Sequence, residues 1–168
     1  MAWGLNSSVA GMLMLAGGVI NAICSFATGR MYDKVGARPL VRAGAVVAII
    51  GSVLFLVIGV TTAPAFFVLA HVVFMIGIPL MQQSAQSAAL KGLPRELAAD
   101  GSTILNTMQQ VCGAIGTAVA TCLLGMGSGA SEAQSFVAGS RYGYVFGLVL
   151  VVIVFMFSFF LKEGREQR

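Results

Sequence analysis

The charged residues of this chain stand in a few short groups and leave long stretches with none. Residues 1–29, 43–90, 101–131 and 142–161 carry no Asp, Glu, Lys or Arg, and every charge falls at 30–42, at 91–100, at Glu132 and Arg141, or at 162–168. A soluble domain covers its surface with polar groups and averages roughly 25% charged residues. Here 10% of the residues are charged and 58% are apolar. That pattern describes helices crossing a bilayer, joined by short charged connections.

The uncharged run from Ala43 to Leu90 holds 48 residues, more than twice the roughly 20 that one helix needs to cross hydrocarbon. It must therefore fold back on itself. Thr61-Thr62-Ala63-Pro64 is the natural turn, because a proline in the first turn of a helix gives up no hydrogen bond. Five crossings are expected, at about 7–28, 40–60, 64–90, 102–125 and 142–161. The expected fold class is all-α, a polytopic membrane protein with about five transmembrane helices in a single membrane domain, and the lipid bilayer is its first partner.

Lys and Arg concentrate in cytoplasmic connections. With five crossings, Arg30, Lys34, Arg38, Arg42, Lys91, Arg95, Lys162, Arg165 and Arg168 fall on one side, which is nine of the ten basic residues. The other side receives Thr61–Ala63, a small polar loop at Gly127–Ser140, and Arg141. The N-terminus is then outside and the C-terminus cytoplasmic, in a cell inner (plasma) membrane. The first basic residue is Arg30, so the start lacks the basic flank of a cleavable signal peptide. An odd number of spans beginning outside suits the end of a longer membrane protein whose earlier spans are missing; a complete small five-span protein is the alternative.

Other classes fit poorly. The net charge of +4 sits in short connections and forms no basic stripe, so no nucleic acid is expected. Cys24, Cys112 and Cys122 are odd in number, lie in apolar stretches and lack the spacing of a metal or redox site. No nucleophile and base pair, metal cluster or phosphate-binding loop is present to suggest an enzyme, a metal or a cofactor.

Polar residues inside hydrocarbon are costly unless partnered, and their distribution is uneven. The second and fifth spans are nearly featureless and read as lipid-facing. The first, third and fourth carry Asn21 and Ser25; His71, Gln82, Gln83 and Gln86; and Asn106, Thr107, Gln109 and Gln110. On the third span His71, Met75, Gln82 and Gln86 lie on one stripe, and on the fourth Asn106, Gln110, Gly113 and Thr117 do the same. Two readings fit these stripes. They line a substrate pathway, or they are the amides and small residues with which membrane helices pack, each hydrogen bond worth about 0.6 kcal/mol. Asn21, His71, Gln82, Gln86, Asn106, Gln109 and Gln110 are the pathway candidates.

Pro79 after Gly77 is expected to bend the third span, as a hinge or as a static accommodation. Gly139, Gly143 and Gly147 repeat every four residues and are expected to allow close helix packing. His71 is the one titratable side chain well inside a span; it is a candidate for handling protons or substrate, or a neutral hydrogen-bonding residue. No span carries an Asp, Glu, Lys or Arg at its middle, so a carboxylate that couples transport to protons is expected outside this chain.

The most specific motif joins the first two spans: Gly29-Arg30-Met31-Tyr32-Asp33-Lys34-Val35-Gly36-Ala37-Arg38-Pro39. Gly36 permits a turn with positive φ, Asp33 can meet a helix N-terminus, and the basic residues hold the segment in the cytoplasm. Such a segment can latch two helical bundles together, or it is an ordinary charged connector.

Gly29, Asp33, Lys34, Gly36 and Arg38 resemble the Gly-x-x-x-Asp-Lys/Arg-x-Gly-x-Lys/Arg segment of the major facilitator superfamily, with Pro39 departing from a second basic residue. Leu93–Ser102 and Leu105–Thr117 are similar to the corresponding region of its fourteen-span drug:proton antiporter branch. The resemblance implies that the five spans correspond to most of the C-terminal half of that fold, its last five helices, with every third helix peripheral. It implies proton-coupled efflux of small amphiphilic compounds by alternating access in the complete protein, with the cytoplasmic segment Gly29, Arg30, Asp33, Lys34, Gly36 and Arg38 as the gate. Small-molecule substrate and protons are the implied partners, and the missing N-terminal spans or another subunit would be needed. The rival function is a non-transporting five-span scaffold or regulatory partner.

Overall fold

A computed structural model describes residues 7–160. They form five long helices: α1 (Ser7–Val35), α2 (Ala37–Leu56), α3 (Pro64–Lys91), α4 (Ala98–Gly125) and α5 (Glu132–Phe157), with one 3-10 turn at Arg95–Leu97 before α4. Helices are the open-chain way to satisfy every backbone group in hydrocarbon. Among the described residues α2, α3, the segment Arg95–Gly125 and α5 are each long and apolar enough to cross a membrane. The chain is thus an all-α, multi-pass membrane protein. Residues 1–6 and the basic tail with Lys162, Arg165 and Arg168, which enter the expected orientation, lie outside the described residues.

The junctions are shorter than the charge pattern suggested. The segment at 30–42, expected as a loop, is two helix ends: α1 runs to Val35 and α2 begins at Ala37. Gly36 alone separates them, with φ 78° and ψ −178°, a conformation open essentially to glycine. Its N–H donates to the Tyr32 carbonyl at 2.9 Å, closing α1. Pro39 causes no break because it lies in the first turn of α2. The connection expected at 91–101 is likewise compressed, because Lys91 still belongs to α3 and α4 starts at Ala98.

The small polar loop expected at Gly127–Ser140 is mostly helix. Ser131 caps α5, its Oγ accepting from the Gln134 N–H at 3.3 Å, while Gln134 Oε1 accepts from the Ala130 N–H at 3.1 Å. This is a variant of the reciprocal Ser-x-x-Gln cap, and it starts α5 at Glu132, ten residues before the expected span. At the other turn, Pro64 opens α3, and Thr62 Oγ1 accepts from the Gly59 N–H at 2.8 Å.

The core is built on α2. Its face of Gly44, Ala45, Ala48, Gly51, Ser52 and Phe55 is buried, and it packs against α3 and α5. One cluster joins Ala45 and Ala48 to Met81 and Val151; a second joins Phe55 and Ile58 to Ala70, with Phe67, Phe74 and Tyr144 around it. Phe55 and Tyr144 stack at 4.8 Å between centroids. Close approach of α2 and α3 comes from glycines: a Cβ on Gly77 would stand 2.6 Å from the Ala48 nitrogen, and one on Gly51 2.8 Å from the Phe74 Cα.

The lipid-facing reading of α2 is therefore corrected to half of the helix: Val46, Ile50, Val53 and Val57 are exposed, and the opposite face is the centre of packing. Of the glycines expected to pack α5, Gly139 alone does so, against the Leu124 carbonyl, and Gly143 and Gly147 face open space. α3 runs unbroken through Pro79. The helix that buries least is α4, which has no buried residue and leans mainly on α5.

Candidate functional site

The amides of α3 and α4 meet at one place. Gln82, Gln86 and Gln109 line a cavity of about 270 Å³ between the two helices, with Ala85, Leu105, Met108 and Cys112 completing its wall. Gln86 Nε2 donates to Asn106 Oδ1 at 3.3 Å, which ties the helices together at its edge. The cleft is shallow and open, its exposed wall is overwhelmingly apolar with the amides contributing a small share, and it carries no charge. Such a surface suits an uncharged, largely apolar molecule with few polar groups.

The hydroxyls of α4 do not cross to a neighbour. Thr107, Thr117 and Thr121 each donate to the carbonyl four residues earlier, on Thr103, Gly113 and Thr117 respectively, at 2.8–2.9 Å. The helix is self-satisfied at these positions, and the Gln86–Asn106 bond is the side-chain link between α3 and α4 among the described residues. Gln110 is exposed and does not line the cavity. A second cleft of about 350 Å³ lies nearby, lined by Leu93, Leu97, Asp100, Gly101 and Ile104 among others.

His71 is not part of this place. Eleven residues separate it from Gln82, about 16 Å along a helix. Its ring is parallel to that of Phe67 at 6.2 Å and edge-on to Phe55 at 6.5 Å. It packs so closely over α1 that a Cβ on Gly17 would collide with the imidazole. Asn21, also on α1, donates through Nδ2 to the Met75 sulfur at 3.7 Å, a weak acceptor. The stripe expected from His71 to Gln86 is therefore corrected: its upper half belongs to the α1–α3 contact and its lower half to the α3–α4 cavity.

The charged junction is organised around Asp33. On the last turn of α1, its Oδ1 lies 3.6 Å from the Lys91 Nζ at the end of α3, and both side chains are largely exposed, 74% and 64%. Lys91 also stands over the Tyr32 ring at 4.4 Å. Asp33 thus engages a cation on α3, where a helix N-terminus had been expected. Arg30 lies over Phe26 of its own helix at 4.5 Å. Gly29 and Lys34 are exposed, and Arg38 is half-buried on α2. The six residues of the segment do not converge on one point; Asp33, Tyr32 and Lys91 do. Tyr32 and Lys91 were not singled out in sequence, and a carboxylate beside two helix-terminal cations was the signal that could have found them.

No group of three His, Cys, Asp or Glu able to hold a metal comes together among the described residues. Cys24 is half-buried, and Cys112 and Cys122 are exposed thiols.

The sequence profile of the Major Facilitator Superfamily matches residues 2–117, which include the Gly36 junction and the cavity between α3 and α4. The chain is 39% identical over 167 residues to the lincomycin resistance protein LmrB of Listeria innocua, covering 93% of this chain and 36% of that protein. It is 34% identical over 173 residues to LmrB of Bacillus subtilis, covering 96% and 36%. An uncharacterized MFS-type transporter of Bacillus subtilis, YcnB, is 29% identical over 162 residues, covering 93% and 34%. The chain thus spans about 36% of the length of the LmrB relatives it matches, and no solved structure matches it significantly. With the family profile covering well over half of its residues, this chain belongs to the Major Facilitator Superfamily.

Proposed function

We propose that these helices form part of a drug-efflux transporter, in which the cavity between α3 and α4 contributes one wall of the substrate pathway. The observation that carries this reading is the convergence of Gln82, Gln86 and Gln109 on one cavity, with Asn106 bonded at its edge. If the amides served only as packing glue they would be spent on each other, whereas one interhelical bond joins them. The substrate class is small amphiphilic compounds, lincomycin among them given the names of the relatives, exported in exchange for protons by alternating access. The proton-handling carboxylate lies outside this chain, because none of its spans carries one at mid-membrane.

In this reading the five helices are the last five of the fold, with α1 beginning outside and the charged junctions in the cytoplasm. Asp33 and Lys91 form a latch that opens and closes with the cytoplasmic side. The exposed faces of α1 and α4 meet the spans, or the second subunit, that complete the pathway; α4 without any buried residue supports this.

The test is efflux by the complete transporter that contains this chain, produced in a lincomycin-sensitive host. Replacing Gln82, Gln86 and Gln109 together by Ala is expected to lower resistance at unchanged membrane abundance. Collapse of the proton gradient is expected to abolish export by the unaltered protein. Full resistance with the triple substitution would remove the pathway reading. Absence of any export by the unaltered protein would favour the non-transporting scaffold.

A further inference from the structure

Arg38 and Arg42 are two cations that the cavity and the Asp33–Lys91 latch leave unused. They sit one turn apart near the start of α2, on the same helix face. That start is the positive end of the helix dipole, and its first turn holds no acidic residue and no side-chain cap. The ion pair among the described residues is Lys91 with Asp33, so neither arginine is neutralised there. The Nε of each is covered and bonded to nothing. Two guanidinium groups thus stand on a helix end of like sign with no anion beside them among the described residues.

Their surroundings are those of a membrane–water boundary. Arg42 lies over the ring of Phe159, just past α5, at 4.4 Å, which fixes it in the groove where α2 and α5 meet. The helix face that begins with the arginines continues into the bilayer as the exposed Val46, Ile50 and Val53. On α5 the exposed Val149, Val152 and Met156 lead to Phe159. Two apolar stripes on neighbouring helices therefore converge on one cationic corner, at the level where the charged residues begin.

We propose that Arg38 and Arg42 bind the phosphate of an anionic glycerophospholipid, whose acyl chains lie along the α2–α5 groove. Guanidinium groups match phosphate oxygens in charge and in fork geometry, and basic corners between membrane helices favour anionic headgroups. The site is independent of what the cavity between α3 and α4 transports.

The test is native mass spectrometry of the purified 168-residue chain in mild non-ionic detergent, with phosphatidylglycerol, phosphatidylcholine or inorganic phosphate added. Phosphatidylglycerol is expected to stay bound at least fivefold more than phosphatidylcholine. R38Q/R42Q is expected to reduce its retention at least fivefold, and R38K/R42K, which keeps both charges, to retain it within twofold. R95Q/R141Q removes the same charge elsewhere and is expected to change retention by less than twofold. The proposal is overturned if both glutamine pairs lower retention equally, if the two lipids are retained equally, or if millimolar inorganic phosphate displaces the lipid completely. Retention that emerges only in E163Q/E166Q would overturn it as well, since the arginines would then be occupied by the chain's own tail.

Discussion

Replacing Gly77 by Ala places one methyl group where α2 and α3 touch backbone to backbone. The new Cβ would stand 2.6 Å from the Ala48 nitrogen, 2.7 Å from the Gly44 oxygen and 2.9 Å from the Ala48 Cα. Ordinary contacts between such atoms begin near 3.5 Å, and none of the three belongs to a side chain that can swing away. The helices must part by roughly 1 Å along the contact. Overpacking of this kind costs about 1–3 kcal/mol, and the better helix propensity of Ala returns up to about 1 kcal/mol. The same substitution at Gly143 meets nothing within 4 Å, so there only the propensity gain remains. Identical chemistry is thus expected to act with opposite sign at the two positions. Thermal unfolding in detergent, followed by helical circular dichroism, reads the difference, since 1 kcal/mol shifts Tm by about 2–4 °C in a chain of this size. With the full propensity return Gly77→Ala is expected to lower Tm by up to about 8 °C, and Gly143→Ala to leave it unchanged or raise it. Equal shifts for the two would refute the claim that glycine-mediated contact between α2 and α3 organises the core.

Gly36→Ala forces an L-residue into φ 78°, ψ −178° at a cost of about 1–3 kcal/mol; protease cleavage between α1 and α2 should quicken, and an unchanged cleavage rate would mean the junction relaxes freely. Ser131→Ala removes the cap on α5 and is expected to cost about 1 kcal/mol, read as faster hydrogen exchange at the first turn of α5 but not in α2. Asp33→Asn breaks an exposed pair and should change stability by less than about 1 kcal/mol; a large loss of export at unchanged Tm in the complete transporter would mark the pair as a gate, and a large fall in Tm would mark it as structural. Cys112, an exposed thiol on the cavity wall, should react with a membrane-permeant maleimide, and bound substrate should slow that reaction while leaving Cys122 unaffected.

Where a residue's role follows from local chemistry, the sequence carried it. The charge groups marked the junctions because charge is expelled from hydrocarbon at any helix orientation. Pro64 could open α3 and Gly36 could turn with positive φ because proline and glycine act on their own backbone. Contacts between helices were less legible. Gly44, Gly51 and Gly77 bring α2 and α3 backbone to backbone, yet nothing separates them in sequence from Gly143 and Gly147, which touch nothing. His71 and Gln82 share a stripe, but a stripe extends along the whole helix while a site occupies one level of it. The α5 start was missed for a different reason: Ser131, Glu132 and Gln134 look like loop residues until their cap hydrogen bonds are counted. The cavity was partly readable, since Gln82, Gln86 and Gln109 were among the pathway candidates, while Leu105, Met108 and Cys112 look like any other lipid-facing residues.

The pairing of α2 with α5 has a consequence in time. α2 is complete at Leu56, but α5 begins at Glu132, so 75 residues must be added before the partner of this face exists. At 5–20 residues per second, synthesis leaves the side of α2 that Val151 later covers waiting for roughly 4–15 s. Membrane lipid diffuses past many times in such an interval. Closing the bundle is therefore an act of displacement: α5 has to evict whatever has settled on α2, and the order in which helices emerge from the ribosome differs from the order in which they find their partners.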